Sequence, residues 1–63
     1  MTWYSSISHK KPKDRQNVVI SFGGIFRLAT FDSKKKVFKL KSQPYIEFKL
    51  FEDGLTWTEF SAN

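Results

Sequence analysis

Gly23 and Gly24 stand side by side between two runs rich in β-branched and aromatic residues, Asn17 to Phe22 and Ile25 to Phe31. A two-residue hairpin turn that matches the strand twist demands positive φ at both central positions, which glycine adopts without a Cβ clash. The pair therefore predicts a hairpin and fixes its register: Phe22 opposite Ile25, Ser21 opposite Phe26, Ile20 opposite Arg27, Val19 opposite Leu28 and Val18 opposite Ala29. One surface then carries Val18, Ile20, Phe22, Ile25 and Ala29 with Arg27. The other carries Val19, Phe26 and Leu28 among Asn17, Ser21 and Thr30. Both surfaces are substantially apolar, so one of them needs cover from a curled sheet, a second copy or a partner.

The rest of the chain follows the same short period, with no stretch at helical spacing. Trp3 to Ser8 reads as a first strand. His9 to Gln16, polar and containing Pro12 and four basic residues, reads as a loop. Asp32 to Lys36 forms a turn into Val37 to Lys41, where Phe38 and Leu40 point inward and Lys39 and Lys41 outward. In Tyr45 to Glu52, the residues Ile46, Phe48 and Leu50 share a face. Asp53 and Gly54 predict a second tight hairpin setting Leu50 beside Trp57 and Phe48 beside Glu59. Glu59 then falls on an apolar face, which requires an open sheet edge or a slipped strand. The tail, residues 61 to 63, is polar. The expectation is an all-β domain over residues 1 to 63: a small antiparallel meander of five to six strands, as a strongly curved sheet or an SH3-like barrel.

A chain of 63 residues buries only about 60% of its unfolded surface, so its stability margin is thin. With no cysteine, and with His9 lacking partners for a metal shell, neither a disulfide nor a metal reinforces it. Eleven aromatic residues, each able to bury about 150 to 250 Å², are the expected substitute. No cofactor is expected. The start of the chain lacks the basic and apolar regions of a signal peptide, no apolar run suits a membrane span, and a cytoplasmic location is expected.

Catalytic chemistry finds no constellation. Ser8 and His9, the nearest nucleophile and base, are adjacent and would point to opposite faces of a strand. Glu47, Glu52 and Glu59 alternate with apolar residues, as solvent-facing strand positions do. Gly23 and Gly24 lack the further glycines, lysine and helix of a phosphate loop. The chain reads as a non-enzyme.

Charge is unevenly distributed. Residues 1 to 41 hold ten basic residues against Asp14 and Asp32, a balance of +8, while residues 42 to 63 hold Lys49 against four acidic residues, a balance of −3. Any nucleic-acid footprint belongs to the basic part. There Arg27, Lys34, Lys35, Lys36, Lys39 and Lys41 could line one side of the third and fourth strands, with Phe22, Phe26 and Phe31 as stacking platforms. The plainer reading is favoured: the lysines keep a hydrophobic protein soluble and blunt its strand edges.

The order Trp3, Pro12, Val18 to Ile20, Gly23 with Gly24, Ala29 with Phe31, and Thr56 with Trp57 resembles a domain family of unknown function common in small phage and prophage proteins. The loop here is basic where that family's is acidic, and Glu59 to Asn63 lacks its proline. The resemblance implies a compact β domain from a mobile element, without an assigned activity. No functional residue carries over.

The expected function is a noncatalytic interaction module that presents a β surface to a protein partner or to a second copy of itself. Phe22, Ile25, Phe26, Arg27 and Phe31 are the expected binding residues, since aromatics and arginine dominate interface energetics. The alternative is sequence-tolerant nucleic-acid binding through the basic residues named above.

Overall fold

The computed structural model describes residues 2–5 and 8–60. Its strands are β1 (Tyr4–Ser5), β2 (Asn17–Phe22), β3 (Ile25–Asp32), β4 (Val37–Leu40), β5 (Glu47–Lys49) and β6 (Thr56–Glu59). All pairs are antiparallel, in one sheet ordered β1-β6-β2-β3-β4-β5. The β2–β3 hairpin turns at Gly23 and Gly24, both at positive φ (62° and 80°), and its register runs from Phe22↔Ile25 through Val18↔Ala29 as the sequence predicts.

The next turn is built by side chains as well as backbone. The Asp32 carboxylate accepts the Lys34 and Lys35 amides, Asp14 accepts the Ser33 amide, and the left-handed Lys36 (φ 57°) closes the loop. Asn and Asp favour such turns because a short carboxyl or amide can cap the backbone two residues on.

The final hairpin expected at Asp53-Gly54 does not form. β6 pairs instead with β2, through Val18↔Glu59 and Ile20↔Trp57, and with β1 through Tyr4↔Trp57. The segment between β5 and β6 folds into successive turns, Glu52 N–H to Lys49 O and Leu55 N–H to Glu52 O, with Leu50 and Leu55 buried beneath it. A turned link this short joins strands at opposite ends of the β6-to-β5 row only if the sheet curls. Curling is also visible in the overall dimensions, 26 × 25 × 25 Å, where a flat sheet would be about 10 Å thick. The edge strands β1 and β5 do not pair with each other, so the sheet stops short of a closed barrel.

The concave side holds the core: Val18, Ile20, Ala29, Phe31, Phe38, Leu40, Leu50, Leu55 and Trp57, with Tyr4, Phe22, Ile46 and Phe48 packed against it. Glu59 shares the Val18 side at the open end of β6, where its carboxylate meets Lys10 Nζ at 3.1 Å. Within the expected first strand the described strand is Tyr4–Ser5, and the fifth contracts to Glu47–Lys49; Ser6, Ile7 and the tail 61 to 63 lie outside the described residues.

Candidate interaction surface on the β2–β3 hairpin

β3 is longer than the strand beside it. β4 pairs with Ala29–Asp32, and the Lys41 amide just beyond it donates to the Leu28 carbonyl, so the distal half of β3, residues 25 to 28, runs past the end of β4. All four of those residues are exposed. Ile25 is 50%, Phe26 61% and Leu28 44% accessible, a run of apolar side chains that the short β4 leaves uncovered.

Alternation divides these residues between two faces. Ile25 and Arg27 project on the concave side beyond the core. There, with Phe22, Gln43, Ile46 and Phe48, they border a cleft of about 240 Å³. Phe22 is half-buried, its ring 5.5 Å from that of Phe48. Phe26 and Leu28 project from the convex side. The Trp3 ring lies 5.7 Å from Phe26, brought there by the N-terminal segment, which the Thr58 hydroxyl anchors by donating to the Thr2 carbonyl at 2.6 Å.

The expected binding residues thus divide. Ile25, Phe26 and Arg27 are exposed and Phe22 borders the cleft. Phe31 is only 4% accessible and packs ring to ring on Phe38 at 5.2 Å; it is a core residue, because β4 covers the proximal half of β3. Leu28 and Trp3 belong to the surface and were not among the expected residues. Leu28 follows from the same alternation as Phe26, whereas Trp3 depends on the pairing of β1 with β6, which no local turn signals.

The expected basic row does not lie on one side. Arg27 shares the concave face with Ala29, while Lys39 sits opposite Thr30 on the convex face. Lys39 faces Asp32 at 3.4 Å and Glu47 at 4.0 Å, and Lys35 faces Glu47 at 3.9 Å. Lys41 donates to the Asn17 side-chain oxygen at 2.8 Å. Lys34 borders a polar groove with Asp14, Arg15 and Asp32, and Lys36 contributes its carbonyl to the Leu50 amide. Among the described residues, Arg27, Lys34, Lys36 and Lys41 of this row have no carboxylate within 4 Å.

The carboxylates near the β3–β4 turn are held as anions. Backbone amide donation from Ser33 lowers the pKa of Asp14, and donation from Lys35 and Lys34, with Lys39 nearby, lowers that of Asp32. Each forms part of a turn. Ser8 is likewise occupied structurally, its hydroxyl oxygen accepting the Lys10 amide. Among the described residues no group of three or more histidines and carboxylates could hold a metal, and no helix is long and apolar enough to cross a membrane. Compared with known proteins, the chain matches no family model, no curated protein and no solved structure.

Proposed function

We propose that this chain is a noncatalytic interaction module of phage or mobile-element origin, acting in the cytoplasm, that uses the distal half of its β2–β3 hairpin to hold a protein partner. One observation carries the reading: residues 25 to 28 place three large apolar side chains and an arginine in solvent on a strand whose other half is core. Phe26 and Leu28 share the convex face with Trp3, and exposed apolar surface of this kind marks interaction sites in monomeric domains, while arginine with aromatics forms the usual energetic centre. The origin rests on the order of sequence features alone.

Selection from a displayed peptide library on the immobilised chain tests it. Ligands retained by the wild type and lost with Phe26→Glu, in a variant that keeps its thermal transition, support the reading. No enriched ligand overturns it.

A second reading, sequence-tolerant binding of single-stranded nucleic acid, has one observation in its favour: Trp3 and Phe26 stand on the convex face that also carries Lys41. The ion pairs of Lys35 and Lys39 oppose it. An oligonucleotide shift at low salt that weakens steeply as salt rises supports it; no shift removes it.

A further inference from the structure

The cleft on the concave side, between the tip of the β2–β3 hairpin and the turn from β4 to β5, opens directly onto the core. Ile20 and Leu40, both buried, are its floor. The half-buried Phe22, Ile46 and Phe48 are its walls, and the exposed Ile25 stands at its rim. Two turn bonds, Ile46 N–H to Gln43 O and Leu40 N–H to Ile46 O, hold the wall that faces the hairpin. Arg27 and Gln43 supply the polar groups, and an apolar hollow with a few placed polar groups is the usual form of a binding site. Arg27 Nη1 lies 3.3 Å from the Phe26 carbonyl oxygen, and Gln43 Nε2 lies 3.4 Å from Tyr45 Oη. A carboxylate can replace such long contacts with shorter charge-assisted bonds.

Resting on the proposed interaction role, we infer that this cleft takes the C-terminal residue of a protein partner: a large apolar side chain together with its free α-carboxylate. The side chain seats on Ile20 and Leu40, and the carboxylate meets the Arg27 guanidinium. Charge complementarity selects this occupant. Arg27 carries a permanent positive charge at the border of an apolar hollow, with no carboxylate within 4 Å among the described residues. In the last residue of a chain one carbon bears both the apolar side chain and the carboxylate, so floor and rim are satisfied together. An internal segment lacks that pairing, because its carboxylates belong to residues other than its apolar ones. Size points the same way. At about 240 Å³ the cleft falls below the roughly 300 to 1,000 Å³ of sites for drug-sized ligands and suits a single side chain.

The test titrates the full chain with an acetylated Gly-Gly-Ser-Leu peptide bearing a free C-terminus, the same peptide amidated, and a version ending in glycine, read by methyl resonances. The leucine acid should bind and shift the methyls of Ile20, Ile25, Leu40 and Ile46. Amidation should weaken binding about tenfold or more, as should Arg27→Gln in a variant that keeps its thermal transition, each removing a charge-assisted bond. The glycine ending should cost a similar factor through lost apolar burial. Absence of binding, equal affinity of the amidated peptide, or affinity unchanged by Arg27→Gln overturns the inference. Isocaproate, which keeps the leucine side chain and carboxylate without the peptide, should bind more weakly; equal affinity overturns the assignment to a protein terminus. Self-association of the chain that Arg27→Gln abolishes overturns it too, in favour of a second copy. If the leucine acid fails while library selection yields Phe26-dependent ligands, the interaction role stands without C-terminal capture; if nothing binds in either experiment, both fall.

Discussion

The Trp57 ring of β6 lies 6.5 Å from the Phe38 ring of β4, centroid to centroid, although β2 and β3 separate the two strands in the sheet. Three strand spacings in a flat sheet amount to about 14 Å, so this contact exists only because the sheet curls. Both side chains are essentially inaccessible. The pair ties the end of the chain to its middle and stands where a disulfide would in many domains of this size.

Truncating either ring should therefore be severe. Phe38→Ala or Trp57→Ala is expected to cost about 3 to 5 kcal/mol, enough to unfold a small domain, and urea titration followed by far-ultraviolet circular dichroism measures it. Trp57→Phe should cost far less than Trp57→Ala. The buried indole Nε1 has no acceptor among the described residues, so its removal relieves an unpaired donor while keeping most of the packing.

The Gly23-Gly24 turn makes a sharper distinction. A Cβ at either position would meet nothing within 4 Å, so substitution there is limited by φ alone. Gly23→Asn should be nearly neutral, because asparagine followed by glycine suits a turn with both central φ values positive. Gly24→Val should lose about 1 to 2 kcal/mol, the cost of a left-handed conformation in an ordinary residue. Paired thermal melts compare the two.

Stability should fall at acid pH through Asp14 and Asp32. Each has a folded pKa below the ordinary aspartate value of about 3.9. Their contribution is therefore complete above that value and lost as pH falls through the folded one. Asp32→Asn should flatten the pH dependence of the melting temperature in that range. At the other extreme, the Glu59 carboxylate raises the pKa of Lys10, so that contribution is present below the ordinary lysine value and lost as pH rises through the folded one. Glu59→Gln should remove the alkaline component and leave the acid one.

Local signals were legible in the sequence and long-range pairing was not. The hairpin register from Phe22 to Val18 follows from two glycines and the period of a strand, and it holds residue for residue. Phe38 and Leu40 are buried as their alternation with lysine implies. Asp53-Gly54 carries an equally strong local preference, yet β6 bypasses β5 because curling presents the free edge of β2 to it, an interaction between residues about 40 apart in the chain that no turn motif encodes. The same limitation separates Phe31 from Phe26. Both are phenylalanines of β3, and only the length of β4 decides which is covered.

That contrast between Phe26 and Phe31 gives a direct comparison of surface with core. Phe26→Glu places a charge on a ring already in solvent, so the thermal transition should stay within a few degrees of wild type while ligand binding is lost. Phe31→Glu forces a carboxylate among Phe38 and the other core residues, where burial of an unpaired charge costs several kcal/mol. This variant should be unfolded or should melt far below the wild type. Circular dichroism melts of the two, read beside peptide binding, distinguish the roles: equal destabilisation would place Phe26 in the core, and a folded Phe31→Glu would place Phe31 at the surface.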